Sequence, residues 1–186
     1  QIVWSDGRRY TGDFIQDLVS GKGVLIYPGG ARYEGEFLKG EAEGKGMLTD
    51  SLGTFIGMFR KGSRHGKGEM LFQDGSSYVG NFQNNEIDGE GEMHFADGRI
   101  LTGTFKKGNL IGIITDGDLR RHMNVNLLQQ TVGDIMSQAP RTIPPEALAV
   151  EAISMMNDME ITVLFVTKEK RPIGIIHMHD CLRAGI

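Results

Sequence analysis

One short signature recurs five times down the first 105 residues: Tyr10-Thr-Gly12-Asp-Phe14, Tyr33-Glu-Gly35-Glu-Phe37, Phe55-Ile-Gly57-Met-Phe59, Tyr78-Val-Gly80-Asn-Phe82 and Leu101-Thr-Gly103-Thr-Phe105. The first residues stand 23, 22, 23 and 23 positions apart. Self-similarity at a fixed period makes each unit one supersecondary element that buries its apolar face only by stacking on its neighbours. The second half of each unit repeats as well, as Gly21-Lys-Gly23, Gly44-Lys-Gly46, Gly66-Lys-Gly68 and Gly89-Glu-Gly91. Turn residues follow in Pro28-Gly29-Gly30, Asp74-Gly75 and Asp97-Gly98. Trp4-Ser-Asp-Gly7 reads as the tail of an earlier repeat, so the array is expected to begin upstream of Gln1.

Each unit alternates with period two. Tyr10, Gly12 and Phe14 project to one face of a strand, and Gly21, Gly23, Leu25 and Tyr27 alternate likewise after a turn. The unit is therefore a β-hairpin, and the next follows through a tight glycine turn. On a face crowded with Tyr and Phe, a glycine leaves room for a neighbouring ring. Tyr33, Phe37, Phe59 and Phe82 are expected in the core. Asp17 and Asn85 replace the turn glycines Gly40, Gly62 and Gly108. The second unit is one residue short and has Asp50 where Tyr27, Phe72 and Phe95 stand elsewhere, which predicts a local irregularity in that turn.

The pattern Tyr-x-Gly-x-Phe-x-x-Gly-x-x-x-Gly-x-Gly resembles the MORN (membrane occupation and recognition nexus) repeat. The resemblance implies a non-catalytic scaffold that contacts a protein partner, often as a dimer; lipid binding has also been proposed for such repeats. Arg60, Lys61, Arg64 and Lys67 form the local basic cluster, a candidate for lipid or partner contact, with a solvated turn as the alternative. His65 and His94 are isolated, and no catalytic constellation accompanies them.

After Lys107-Gly108 the pattern breaks, glycine thins out and helix formers take over, which divides the chain into a repeat array over 1–108 and a second part over 109–186. There, Leu110–Thr115 reads as a buried strand and Asp116–Met123 as a helix. Val132–Met136 reads as a helical turn. Pro145 suits the first turn of a helix from Glu146 to about Asp158. Its apolar face is expected to carry Leu148, Ala152, Met155 and Met159, flanked by Ala149, Ile153 and Met156. Ile161–Val166 and Pro172–Ile176 read as strands joined by a turn at 168–170, and His179–Ala184 as a last helix. The fold class is mainly β with a C-terminal α+β part.

Gly112-Ile-Ile-Thr115-Asp-Gly-Asp118 and Gly174-Ile-Ile-His177-Met-His-Asp180 resemble CBS motifs. More narrowly, Gly112–Arg121 and Leu182-Arg-Ala-Gly-Ile186 are similar to the C-terminal CBS pair of arabinose 5-phosphate isomerases, of the sugar isomerase family. The resemblance implies one complete CBS motif preceded by the last strand and helix of another. It also implies a cleft for an adenine or cytidine nucleotide, with Thr115 contacting phosphate and Asp118 and Asp180 accepting from ribose hydroxyls. His177 replaces the hydroxyl residue in the second motif. The alternative is that Asp118 and Asp180 are only helix caps. His177, His179, Asp180 and Cys181 read as a strand end rather than a metal site. The isomerase domain's phosphate loop and His/Glu set are missing from these residues, so the expectation is a non-enzyme: a scaffold with the CBS part as cap, dimerisation or regulatory unit. The alternative is a nucleotide-sensing fragment related to those isomerases, or an engineered chimera of the two patterns.

Charge narrows the partners. The net charge is -4, and both parts are mildly acidic, so bulk charge argues against nucleic acid. The single cysteine excludes an intrachain disulfide, which fits a reducing, cytoplasmic setting. No apolar run approaches the ~20 residues of a membrane span. An open sheet edge at Gln1 and uncovered apolar helix surface around Leu148 and Met155 predict a homo-oligomer.

Overall fold

The computed structural model describes residues 1–114, 116–123, 129–168 and 171–185, and separates into two compact units, 1–98 and 99–186. In the first, nine strands follow chain order, each antiparallel to the next: β1 (Ile2–Val3), β2 (Arg9–Ile15), β3 (Leu18–Ile26), β4 (Arg32–Leu38), β5 (Glu41–Asp50), β6 (Gly53–Arg60), β7 (Ser63–Phe72), β8 (Ser77–Gln83) and β9 (Glu86–His94). This is the stacked-hairpin sheet the repeats predict. Each hairpin closes with two residues at positive φ: Gln16 and Asp17 at 50° and 62°, Lys39 and Gly40 at 50° and 91°, Lys61 and Gly62 at 49° and 74°, Asn84 and Asn85 at 52° and 72°. Two positive φ values match the twist of the flanking strands, and Asp and Asn tolerate them next best after glycine. That is why Asp17 and Asn85 substitute without breaking the period. The hairpins are stitched by the turn amides, with the Gly40 N–H donating to Val19 O at 2.8 Å and the Gly62 N–H to Ala42 O at 2.9 Å.

All the rings of the signature lie on one face and form a file. Tyr10, Phe37, Tyr33, Phe59, Phe55 and Phe82 contact in succession, edge to face, with centroids 4.7–5.0 Å apart between repeats. Tyr10, Tyr33, Phe55 and Tyr78 are buried, as are Phe37, Phe59 and Phe82. The strand pairing sets glycine opposite glycine: Gly12 faces Gly23, Gly35 faces Gly46, Gly57 faces Gly68, and Gly80 faces Gly91. Each first ring lies flat over its pair. Just past the pair the register shifts in every repeat, a β-bulge. There Tyr10 Oη donates to Asp13 O and Tyr33 Oη to Glu36 O, both at 2.9 Å, and Tyr78 Oη to Asn81 O at 3.4 Å. Between β5 and β6 the turn is the irregular one. Asp50 pairs with Gly53, and the Asp50 carboxylate accepts from the Leu52 N–H at 2.8 Å, so this connection is one residue shorter than its counterparts.

In the second unit β10 (Ile100–Lys106), β11 (Asn109–Ile113) and β12 (Ser137–Gln138) form one antiparallel ribbon, with α1 (Asp116–His122) and α2 (Val132–Ile135) between β11 and β12. The β10–β11 hairpin keeps the repeat geometry: Leu101 and Phe105 are buried, and Lys107 and Gly108 close it at φ 50° and 77°. A second sheet holds β13 (Thr142–Ile143), β14 (Val163–Lys168) and β15 (Arg171–His177), with α3 (Ala149–Asp158) and α4 (Met178–Arg183). β13 runs parallel to β14, and β15 antiparallel. Its core is Ile143, Ala152, Met156, Leu164 and Cys181.

Three expectations change here. The helix starts at Ala149, not Glu146: residues 144–147 form a turn, and the Glu151 carboxylate accepts from the Leu148 N–H at 3.2 Å. Its buried line is Ala152 and Met156, whereas Leu148 is 64% exposed and Met159 42%. The later start turns Leu148 out of the helix, and the core reads the stripe that fits under Leu164. Met155 packs against that core, so it and Leu148 are not one free surface. The two-residue strands β12 and β13 were invisible to periodicity. The turn at 169–170 lies outside the described residues.

Candidate functional site

The repeat sheet's second face carries no rings. Cross-strand pairing there sets Met47 opposite Ile56 and Lys45 opposite Met58, with Val79 two strands beyond Ile56. Ile56 is 56% exposed, and Met58 and Val79 also stand in solvent. An open groove of about 1070 Å³ runs along this strip, edged by Lys22, Lys45 and Lys67 at equivalent repeat positions and by Glu34 and Glu36. Sequence reasoning had not singled out Met47, Ile56 or Met58. The signal was available in the two-residue alternation, since Ile56 and Met58 each stand next to a buried ring.

The basic cluster is divided by the pleat. Arg60 and Lys67 are exposed on the ringless face, and Lys61 sits in the hairpin turn with its N–H donating to Glu43 Oε2 at 2.9 Å. Arg64 pairs opposite Phe59 on the ring face and is buried. The four residues therefore do not form one patch.

In the second unit a cleft of about 730 Å³ is lined by apolar side chains, among them Leu101, Ile113, Phe165 and Ile175, and by Arg121, Ser137 and His177. Asp118 stands behind that lining, 1% exposed. Its carboxylate accepts from Ser137 Oγ at 2.6 Å and pairs with Arg121. Both lining groups are thereby tied to one buried carboxylate, and the Ser137 hydroxyl, its proton given to Asp118, is left as an acceptor. Asp180 is placed differently. It accepts from the His177 N–H at 3.3 Å, capping α4, and lies 3.6 Å from Arg99. Thr115 lies outside the described residues. Ser137 escaped the sequence reading because it is 19 positions from Asp118, on a strand too short to show a period.

Against known families, residues 10–32, 33–51, 55–77 and 78–98 each match the MORN repeat, and residues 132–186 match the CBS domain. The chain carries MORN repeats followed by a CBS domain.

Among individual proteins, its C-terminal region is similar to arabinose 5-phosphate isomerase KdsD of Yersinia pestis, 43% identical over 77 residues, which is 40% of this chain and 24% of the relative. KdsD of Pseudomonas aeruginosa is 43% identical over 82 residues, covering 42% of this chain and 25% of its own. The chain thus spans about a quarter of the length of these relatives. A solved protein described as having CBS domains, from Burkholderia ambifaria, aligns at 24% identity and a TM-score of 0.38, over 44% of this chain and 62% of that one.

Proposed function

We propose that this chain is a non-catalytic interaction protein working in the cytoplasm. The repeat array, residues 1–108, holds a protein partner, and the part from 109 onward serves as a regulatory and self-associating module whose cleft takes an adenine or cytidine nucleotide. The observation that carries the reading is the apolar strip of half-buried Met47 and exposed Ile56 and Met58 along the groove of the ringless face, because contiguous apolar surface left in solvent marks an interaction site. A second reading is favoured by the 43% identity to arabinose 5-phosphate isomerases. In it, the C-terminal unit is a nucleotide-sensing module of that lineage, joined to the repeats by natural or engineered fusion.

Calorimetry with AMP, ATP and CMP tests the regulatory half. Micromolar binding lost in Ser137→Ala supports it, and no heat with any of the three removes it. Conversion of arabinose 5-phosphate by the chain alone would end the non-catalytic reading. For the partner half, a complex captured from cell extract should be lost in Ile56→Asp and cross-link through Lys45 or Lys67. A complex indifferent to Ile56→Asp would refute the strip.

A further inference from the structure

Opposite the second ring of each full repeat stands one residue on the ring face. It is Val19 facing Phe14, Ala42 facing Phe37 and Ile87 facing Phe82, but Arg64 facing Phe59. Arg64 is 8% exposed. Its guanidinium carbon lies 5.8 Å from the centroid of Phe55, and its Nη1 is 3.6 Å from Met70 Sδ. Nε reaches no acceptor, and no carboxylate among the described residues pairs with Arg64. Its backbone N–H is satisfied by Asn85 Oδ1 at 2.9 Å, so what is unmet lies in the guanidinium, which has the Phe55 face and Met70 Sδ for company but no anion. The same repeat departs a second time on the same face, having Phe55 where the others have Tyr10, Tyr33 and Tyr78. An arginine is almost never buried without a partner, because the lost hydration has to be replaced by charge or hydrogen bonds. An apolar residue, from alanine to isoleucine, fits this position in the three other full repeats, so the packing does not ask for it.

We infer that Arg64 anchors a docking site, in which the ring face of the third repeat receives one carboxylate, from a Glu or Asp in an otherwise apolar segment of a protein partner. This rests on the reading that the repeat sheet holds a protein. Three features select the chemistry. The surroundings of the guanidinium are Phe55, Phe59 and Met70, which desolvate an incoming group and strengthen its attraction to a cation. The guanidinium fork matches a carboxylate in bidentate geometry. There is one cation on this face of the repeat, because Arg60 and Lys67 belong to the ringless face, so a monoanion balances it where a phosphate would remain under-neutralised. Arg64 is the second residue of β7, beside the Lys61–Gly62 turn, so rotation of its long side chain carries the guanidinium to the rim without moving a strand.

The test pans a random twelve-residue peptide library displayed on phage against the whole chain, then measures the enriched peptides by fluorescence anisotropy. Enriched peptides should share one acidic residue among apolar ones. Arg64→Met should weaken such a peptide about tenfold, the worth of one charge-assisted hydrogen bond, and leave its Glu→Gln version unchanged, with Arg64→Lys recovering only part. The thermal midpoint of Arg64→Met should equal or exceed the native one, since it removes a buried charge that has no anionic partner. A lowered midpoint would make Arg64 a structural residue and overturn the inference. Peptides without an acid, or with equal affinity for Arg64→Met, overturn it while leaving a protein-binding sheet; a partner complex lost in Ile56→Asp yet indifferent to Arg64→Met does the same. Binding only to phosphatidylserine vesicles, or self-association dissolved by Arg64→Met, also overturns it, naming a lipid or a second copy instead.

Discussion

Gly46→Ala is expected to destabilise the repeat unit by about 2–4 kcal/mol, although backbone entropy alone argues the other way. In a strand interior, alanine in place of glycine restricts the unfolded chain and gains roughly 0.5–1 kcal/mol. A Cβ at Gly46, however, would stand 2.4 Å from Tyr33 Oη and 2.6 Å from Cε2 and Cζ. Carbon atoms in contact are about 3.5–4.0 Å apart, so the ring must retreat by roughly 1 Å. It has little room, being held between Phe37 at 5.0 Å and Phe59 at 4.7 Å, with its hydroxyl on Glu36 O at 2.9 Å. Overpacking costs about 1–3 kcal/mol, the strained or broken hydrogen bond about 1 kcal/mol, and loosened ring pairs about 0.5 kcal/mol each. Steric strain therefore exceeds the entropic gain. The assay is guanidinium chloride unfolding followed by near-ultraviolet circular dichroism, which reports the tyrosine rings. Gly40→Ala is the control, with open space around the added Cβ but φ at +91°, and should cost about 1 kcal/mol through the left-handed backbone alone. Tyr33→Leu should then cost less in the Gly46→Ala background than in the native chain, because the offending ring is already displaced. A Gly46→Ala protein as stable as the native one, or additivity in that cycle, would refute the idea that ring-over-glycine packing sets the repeat.

Burial raises the phenol pKa of Tyr33 and of Tyr78, the latter to about 12, with Tyr10 shifted in the same direction. The folded state thus favours the neutral phenol, and its stabilising effect is complete below pH 10 and is lost as pH rises toward 12; unfolding that tracks tyrosinate absorbance across that window checks this, and a flat stability curve there would refute it. Ser137→Ala removes a donor from the buried Asp118 carboxylate and should lower the stability of the C-terminal unit by about 1.5–3 kcal/mol in urea unfolding. Met156→Ala, in the α3 core, should cost about 2–5 kcal/mol, whereas Leu148→Ala should fall within about 0.5 kcal/mol of native; equal costs would restore the helix face expected from sequence.

Much of the first unit was legible because its information is local. The recurrence of Tyr-x-Gly-x-Phe sets strand, face and period at once, and Tyr33, Phe37, Phe59 and Phe82 go to the core as the alternation requires. The shorter second repeat even marks its own irregular turn at Asp50. In the C-terminal unit the order of strand, helix, strand, strand and helix was readable, but α3 was read three residues too long at its start, since Pro145 can open a helix or a turn with equal ease. Which of its apolar lines is buried depended on Leu164 and Ile143, residues remote in sequence.

By itself the sequence determined the repeat and the ring file, because both follow from a two-residue alternation repeated at one period. Only the tertiary structure decided three other things. Asp118 meets Ser137 across 19 positions, a pairing no local pattern encodes. The run from Arg60 to Lys67 looks like one basic cluster in sequence, yet the pleat and the bulge send Arg64 to the rings and the others to solvent. And Met47, Ile56 and Met58, unremarkable as letters, become a strip because antiparallel pairing lays adjacent strands side by side. Periodicity tells which face a residue takes, but what it meets there is set by which strands the chain brings together.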